Sequence, residues 1–146
     1  VELMRQLWKG KLVLKGILDP QDAARARDAG VDGVMVSNHG GRQLDGAPAT
    51  ADVLAGCAEI ARGLGTTIVD GGIRRGIDIL RAIALGADAV AIGRPILWGL
   101  GAGGAEGVAR ALAMLRGEFD IAMALAGVRS PAEIRQLGAG LVRRQT

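Results

Sequence analysis

Residues 66–94 read TTIVDGGIRRGIDILRAIALGADAVAIGR, and this stretch decides the fold. It opens on a short run rich in β-branched residues, turns at a pair of glycines, continues with apolar residues at helical spacing, and closes on a second apolar run. Short β-branched runs predict buried strands, and apolar residues three and four positions apart predict a helix that covers them. The stretch therefore predicts a strand, a helix and a second strand.

The rest of the chain continues the same alternation. Four apolar runs predict buried strands at 11–16, 33–37, 66–70 and 89–93. Helical patterns predict helices at 19–29, opened by Asp19-Pro20, at 50–62, with Thr50 as the cap, at 74–85 and at about 105–125, and Pro131 begins a short last helix. Strands that alternate with helices predict a parallel sheet with right-handed crossovers.

The chain also repeats itself at a spacing of 56 positions. The matched residues are Gly16-Ile17, Asp22, Arg25-Ala26, Gly30, Asp32 and Val34, which fall on Gly72-Ile73, Asp78, Arg81-Ala82, Gly86, Asp88 and Val90. Each block predicts a strand, a turn, a helix, a Gly-x-Asp step and a second strand, so that two blocks make four βα units. A TIM (β/α)₈ barrel is built from such units, and the predicted fold over residues 1–146 is half of one.

Half a barrel leaves two unpaired strand edges and an exposed apolar inner face, both of which favour association. We therefore expect another half to complete this barrel, and a chain that begins partway through a longer protein. The first residue is Val1, and no signal peptide precedes the predicted fold.

Composition narrows the classes of function. Of the 146 residues, 49% are apolar and 2% aromatic, and the net charge is only +3. Without tyrosine, and with no basic run longer than two residues, the chain offers neither a stacking platform nor a phosphate-binding stripe, so we predict no nucleic-acid partner. The only basic pairs are Arg74-Arg75 and Arg143-Arg144, and we interpret the second as a solvated tail.

A single cysteine, Cys57, excludes an internal disulfide and a cysteine-built zinc site. Its helical surroundings of Ala and Leu predict a packed core thiol, and the scarcity of cysteine fits a reducing compartment such as the cytoplasm. No apolar segment approaches the ~20 residues of a membrane span, and no metal site is predicted.

Polar residues and glycines gather at the C-terminal ends of all four predicted strands. Barrel enzymes place their active sites on that face, and four aligned clusters are more than strand ends need for solubility. The clusters are Lys15-Gly16, Ser37-Asn38-His39, Asp70-Gly71-Gly72 and Gly93-Arg94.

The last two of these clusters predict a phosphate site. Loops after the final strands of a barrel commonly hold a phosphate through backbone N–H groups and a helix N-terminus. Arg74 and Arg94 would add bidentate positive charge. Glycines that serve only as turns, with arginines on the rim, are the alternative, but the Gly71-Gly72 pair on one strand and Gly93-Arg94 on the adjoining strand favour phosphate binding.

His39 is the only histidine, and a solitary histidine is most often structural. Here glycines follow it directly, and Arg42 lies three residues on. A base that titrates near neutral pH beside a guanidinium suits proton abstraction from an acidic substrate. We therefore predict a catalytic role for His39.

Three stretches together resemble the FMN-dependent 2-hydroxy-acid oxidases and dehydrogenases, which act on glycolate, lactate, mandelate or hydroxymandelate. They are LVLKGI at 12–17, SNHGGRQLDGAPAT at 37–50, and DGGIRRG at 70–76 with ALGADAVAIGRP at 84–95. The resemblance runs from about residue 7 to residue 134 and corresponds to the family's C-terminal half. Other FMN barrels share the phosphate loops but lack SNHGGR.

The resemblance implies a role for each residue near the reacting groups. Lys15 would lie against the flavin N1–C2=O edge and stabilise the anionic reduced ring, and Ser37 would contact the pyrimidine side. His39 would be the catalytic base, and Arg42 would bind the substrate carboxylate. The product would be a 2-oxo acid, and the sequence leaves open whether the proton comes from the hydroxyl, with hydride transfer, or from the α-carbon.

The remaining implied contacts hold the rest of the cofactor. Asp70 would bind the ribityl chain. The phosphate would be held by Gly71, Gly72, Arg74, Gly93 and Arg94.

The family's first half supplies groups that this chain does not contain. These are the carboxylate that orients the histidine, tyrosines near the substrate, a second arginine and further flavin contacts. Because a base without its orienting partner loses efficiency, we predict that this chain alone is almost inactive and binds FMN weakly. The identity of the 2-hydroxy acid, oxidase or dehydrogenase chemistry, the oligomeric state and membrane attachment through an upstream segment stay open, although a homo-oligomer is expected. The competing hypothesis is a non-catalytic half barrel that binds phosphate or self-associates through its open edges.

Overall fold

The computed structural model describes residues 1–142 and contains one four-stranded sheet with helices. All neighbouring strands are parallel, and their order follows the chain, β1-β2-β3-β4. The strands are β1 (Val13–Ile17), β2 (Gly33–Val36), β3 (Thr66–Val69) and β4 (Ala89–Val90). The helices are α1 (Glu2–Leu7), α2 (Pro20–Asp28), α3 (Thr50–Ile60), α4 (Gly76–Ala84), α5 (Arg94–Leu125) and α6 (Pro131–Leu137), with short 3-10 turns at His39–Gly41 and Gly138–Leu141. The predicted fold class, four parallel βα units, is confirmed.

The two faces of the sheet differ in cover. The row formed by Val36 and Val69 faces the helices, and both side chains are at most 2% exposed. They pack with Leu54 and Cys57 in the main core, so the predicted core position of Cys57 is confirmed, and burial raises the pKa of its thiol. The opposite face carries the row Lys15, Met35, Ile68 and Ala89, which no helix in the described chain covers. That face is where a barrel places its interior.

The 56-residue repeat has a structural basis at two helix ends. Helices α2 and α4 each end in a Schellman motif around a left-handed glycine, Gly30 or Gly86. Two residues later, the carboxylate of Asp32 accepts the N–H of Leu12 at 2.9 Å, and that of Asp88 accepts the N–H of Thr67 at 2.9 Å. Each aspartate N–H returns a bond of 2.8 Å to the same strand residue. The repeated residues therefore close each helix and connect it to the preceding strand.

The long helix α5 forms an outer layer with α6. It breaks at Gly103 and Gly104, and its first part crosses the second where Gly99 meets Gly107, so closely that a side chain on either glycine would overlap the opposite backbone. The second part packs on α4, which also contacts α6. The resulting second core contains Leu80, Ile83, Ala84, Ala122, Val128 and Ile134.

Several sequence predictions were wrong at the level of elements. Helix α1 was not predicted, and α5 begins at Arg94 rather than near residue 105 because Pro95 occupies its first turn. Thr50 is the first residue of α3, after Ala49, and its side chain does not cap that helix. Strand β4 ends three residues earlier than predicted, and helix α4 begins at Gly76 rather than at 74. The predicted openings of α2 and α6 at prolines are confirmed.

Two further points concern the ends and the membrane. The pair at 143–144, interpreted as a solvated tail, lies outside the described residues. Within residues 1–142, no helix combines the length and the apolar character that crossing a bilayer requires.

Candidate active site

A cleft of about 280 Å³ opens at the C-terminal ends of the strands. Nine of the ten predicted site residues line it, and only Ser37 does not, since its side chain lies fully buried beneath the floor. The predicted residues in this lining are Lys15, His39, Arg42, Asp70, Gly71, Gly72, Arg74, Gly93 and Arg94. Residues from strand β1 and from the segments that follow β2, β3 and β4 therefore meet in one place.

Lys15 lies inside β1, two residues before the end of the strand, rather than after it. A bulge follows it, because Lys15 pairs with Met35 and Ile17 with Val36, leaving Gly16 as the extra residue, with φ of 99°. The ammonium donates to the Ser37 hydroxyl at 3.0 Å and forms a short ion pair with a carboxylate oxygen of Asp70. The strand thus directs one cation from the open face of the sheet into the cleft.

The turn after β2 holds His39 in an unusual backbone conformation. Its φ is 55°, and it is the only non-glycine residue in the described chain with positive φ. The Ser37 hydroxyl accepts the His39 N–H at 3.1 Å, and the Asn38 side chain accepts the Gly40 N–H at 3.1 Å, so side chains fix the turn. Strain of this kind costs of order 1–3 kcal/mol and clusters at functional sites.

The imidazole of His39 lies against Gly16. A Cβ placed on Gly16 would sit 3.0 Å from His39 Nε2. Arg42 Nε donates to the His39 carbonyl at 3.2 Å, which orients the guanidinium and leaves its terminal nitrogens for another partner. Ammonium, imidazole and guanidinium therefore line the same cleft.

Asp70 forms the corner between the cation and the glycine loop. Its second carboxylate oxygen, Oδ1, is buried and has no hydrogen-bond partner within residues 1–142. The Thr50 hydroxyl donates to the Asp70 carbonyl at 2.8 Å, which accounts for the failure of Thr50 to cap α3. A buried acceptor without a donor carries a free-energy cost that a hydroxyl-bearing ligand would remove.

The loop after Asp70 is anchored on its outer side. The Asp78 carboxylate accepts the N–H groups of Arg74 and Arg75 at 3.1 and 3.0 Å. Glu118 of α5 accepts from Arg75 Nε at 2.8 Å and from the Gly76 N–H at 2.8 Å, and these two bonds hold the pKa of the Glu118 carboxyl below its usual range. The same contact with Glu118 raises the pKa of the Arg75 guanidinium. Arg75 therefore anchors the loop through its contact with Glu118, whereas Arg74 lines the cleft.

The part of the cleft lined by Arg74, Gly93 and Arg94 has the chemistry of an anion site. Within residues 1–142, neither Arg74 nor Arg94 forms a salt bridge. Helix α5 begins at Arg94, so its positive dipole end also meets the cleft. Gly72 and Gly93 have open space where a side chain would stand. Two unpaired guanidinium groups, a helix N-terminus and open glycines suit a phosphate.

The sequence missed part of the lining. Gly40, Ile73, Ala91, Pro95 and Leu97 also border the cleft, and Leu97 is 63% exposed. Pro95 directly after Gly93-Arg94 was the available signal, because a proline in the first turn starts a helix and places Leu97 one turn inside it. The apolar side chains form a wall beside the anion site.

The fold and the cleft define a class: a parallel βα barrel segment with a cationic cleft at the carboxyl ends of its strands. A family model described as FMN-dependent dehydrogenase matches residues 1–139, and the chain belongs to that family. It is 51% identical over 134 residues to an L-lactate dehydrogenase of Bartonella quintana, covering 92% of this chain and 35% of that enzyme. It is also 51% identical to the peroxisomal (S)-2-hydroxyacid oxidase GLO3 of Arabidopsis thaliana, over 87% of this chain and 35% of that enzyme.

Solved structures agree with these relatives. The chain superposes on mandelate oxidase, a TIM barrel, with a TM-score of 0.89 and 48% identity, covering 92% of this chain and 41% of that one. One similar mandelate oxidase structure contains a monooxide FMN adduct. The chain spans about a third of the length of the curated relatives it matches, at 35%. The resemblance to the FMN-dependent 2-hydroxy-acid oxidases and dehydrogenases is confirmed.

Proposed function

We propose that this chain is one part of an FMN-dependent enzyme that oxidises a 2-hydroxy acid to a 2-oxo acid. The observation that carries the proposal is the meeting of Lys15, His39 and Arg42 in one cleft with Arg74, Gly93 and Arg94, whose chemistry suits a phosphate. Relatives named as lactate dehydrogenase, 2-hydroxyacid oxidase and mandelate oxidase support the substrate class. Which 2-hydroxy acid is used depends on residues beyond this segment.

The residues present fit FMN on their own chemistry. The buried Asp70 Oδ1, which has no partner in the described chain, would accept a hydrogen bond from a ribityl hydroxyl. Arg74, Arg94 and the backbone at Gly71–Gly72 and Gly93 would hold the phosphate, since both guanidinium groups lack a salt bridge in the described chain and Gly72 and Gly93 face open space. Ser37, buried beneath Lys15, supports the position of the ring's pyrimidine side. FMN, when bound, supplies the two-electron acceptor.

Each side chain then has a defined task. Arg42 binds the substrate carboxylate through its terminal nitrogens, because Nε is already held by the His39 carbonyl. His39 accepts the substrate proton on a ring nitrogen. Lys15 would place its ammonium beside the cofactor and favour the negatively charged reduced form. Its contacts with Ser37 and Asp70 already fix the ammonium, so little reorganisation would be needed.

The proposed partners follow from the open surfaces. The uncovered row of Lys15, Met35, Ile68 and Ala89 is completed by the other half of the same barrel. Exposed apolar side chains on α5, among them Trp98 at 59% and Leu125 at 85%, support a homo-oligomer. The single free cysteine supports a reducing compartment, and we propose the cytoplasm.

A two-arm experiment tests the proposal. The first arm titrates the 146-residue chain with FMN, where we expect weak binding and almost no turnover of lactate, glycolate or mandelate. The second arm fuses the chain to the N-terminal part of mandelate oxidase in place of the segment it matches, giving a hybrid barrel. A yellow hybrid whose flavin absorption is bleached by a 2-hydroxy acid supports the proposal. A folded but colourless hybrid would contradict the proposal that FMN is the cofactor. Submicromolar FMN binding with turnover by the isolated chain would contradict the proposal that a partner half is needed.

The second candidate is a non-catalytic half barrel that binds phosphate or self-associates through its sheet edges. The observation that favours it is the exposure of edge strand β1, where Val13 is 41% exposed. Colourless oligomers that bind inorganic phosphate but not FMN would support this candidate.

A further inference from the structure

We propose that Thr50 is a positioning residue of the cleft. It acts on the Asp70–Gly71 corner from outside the cleft, whose lining does not include it. This inference rests on the proposed function, because it assigns a residue that shapes the FMN site without touching its contents.

The Thr50 side chain is buried, and its hydroxyl contacts the two carbonyls that follow β3. Thr50 is 4% exposed, and its hydroxyl lies 2.8 Å from the Asp70 carbonyl and 3.4 Å from the Gly71 carbonyl. It begins α3 without capping that helix. A threonine at this position has the usual opportunity to bond its own helix, and here the hydroxyl instead joins α3 to the end of β3.

The corner it holds is tightly packed. Gly71 has φ of 84°, and a Cβ there would lie 3.2 Å from Thr50 Oγ1 and 3.2 Å from Asn38 Oδ1. Asn38 in turn accepts the Gly40 N–H and donates to the Pro48 carbonyl at 3.2 Å. The Gly71 backbone is therefore enclosed between the loop that carries His39 and the first turn of α3.

The consequence for the cleft is geometric. Thr50 holds the backbone carbonyls of Asp70 and Gly71. The side chain of the same Asp70 pairs with Lys15. Loss of the hydroxyl leaves the Asp70 carbonyl without that donor and frees the corner to rotate. Both the ammonium position and the start of the phosphate loop then change, although neither side chain has been altered.

The test compares four proteins: wild type, Thr50→Val, Thr50→Ser and Thr67→Val. Valine keeps the shape of threonine and removes the hydroxyl, whereas serine keeps the hydroxyl. Thr67 is the matched control, since it is 5% exposed in β3 and does not line the cleft. FMN affinity is measured by flavin fluorescence in the isolated chain and in the hybrid. The amide signal of Gly71 is followed by NMR without cofactor.

We expect Thr50→Val to weaken FMN binding about tenfold, which is the size of effect that one buried hydrogen bond and its stranded acceptor produce. Thr50→Ser should bind within about twofold of wild type, because the donor remains. Thr67→Val should match wild type in affinity, whatever its thermal stability. The cofactor-free Gly71 amide signal should move in Thr50→Val alone.

The outcomes separate the two proposals. Equal affinity in all four proteins, or equal weakening by Thr50→Val and Thr67→Val, overturns the positioning role and leaves the proposed function intact. A wild type that binds no FMN in either the chain or the folded hybrid overturns the proposed function itself, and this inference with it.

Discussion

The two blocks of the repeat share a scaffold and differ in everything that the scaffold carries. In both, a Schellman glycine closes the helix. Two residues later, an aspartate carboxylate accepts a backbone N–H at the preceding strand, and the aspartate N–H donates to the carbonyl of the same residue. In the first block Gly16 lies beneath the His39 imidazole, while its counterpart Gly72 faces open space. The repeated residues therefore build the scaffold, and of the ten proposed site residues only Gly72 belongs to the repeat.

The helix starts provide the sharpest contrast between the blocks. Gly76 begins α4 so close to α5 that a Cβ would overlap the backbone at Glu118 and Phe119. Its counterpart is Pro20, which packs against α3, where a Cβ on Gly56 would lie 3.1 Å from the proline ring. The start of α4 therefore packs against the backbone of α5. The start of α2 packs against α3 through the Pro20 ring, which can shift.

Replacing these two glycines should give the largest difference in stability. We expect Gly76→Ala to lower the free energy of unfolding by about 3 kcal/mol, because α5 must move away and its Glu118 bond to the Gly76 N–H weakens. Gly56→Ala should cost under about 1 kcal/mol, since the gain in helix propensity offsets a small shift of Pro20. Urea unfolding followed by circular dichroism measures both. Equal costs would contradict the asymmetry between the blocks.

Sequence predicted the repeated scaffold well and the packing between helices poorly. The pattern of Gly30, Asp32, Gly86 and Asp88 is local, so its effect on helix ends and strands is visible in the letters themselves. The crossing of Gly99 on Gly107 is not local, and the first segment of α5, from Arg94 to the break at Gly103, was not predicted.

The site follows the same division. The convergence of Lys15, His39 and Arg42 was predictable because strand ends of a parallel sheet share one edge. The helix cap assigned to Thr50 was wrong because its hydroxyl bonds a residue 20 positions away. Helix α1, six residues long with no side-chain cap, left no signal strong enough to predict.

The second prediction compares Gly16 with Gly72. Both have positive φ, at 99° and 77°, so alanine at either position should cost about 1–2 kcal/mol through backbone strain. Only Gly16→Ala also displaces the imidazole, because its Cβ would press on His39 Nε2. His39 is the only histidine, so its ring signals can be followed by NMR without ambiguity.

We expect the His39 ring signals to shift clearly in Gly16→Ala and to stay near their wild-type positions in Gly72→Ala. In the hybrid, Gly16→Ala should lower kcat about tenfold or more, because a base that is displaced from the reacting atoms accepts the substrate proton less efficiently. Unchanged ring signals in Gly16→Ala would show that Gly16 serves only as a bulge in β1.

The third and smallest effect concerns acid. Asp32 binds Arg5 at 2.7 Å, the Leu12 N–H at 2.9 Å and Lys11 at 3.0 Å, and these bonds, Arg5 first, hold the pKa of its carboxyl well below the usual range. Asp88 has the equivalent backbone bond, but its nearest cation, Arg135, lies at 3.7 Å. Asp32 therefore joins α1 to the sheet through short hydrogen-bonded contacts, whereas Asp88 meets α6 only through the longer ion pair with Arg135.

A carboxyl whose pKa is lowered by folding stabilises the native state above its unfolded pKa of about 4 and loses that contribution as the pH falls toward the folded value. Part of the acid sensitivity of this protein should thus belong to Asp32. We expect Asp32→Asn to be less stable than wild type near neutral pH and to lose less stability between neutral pH and about pH 3, so that the two curves approach each other. Asp88→Asn should keep the acid-induced loss of wild type. Thermal unfolding across that range measures all three, and parallel curves for wild type and Asp32→Asn would show that the Arg5 and Lys11 contacts contribute nothing that depends on charge.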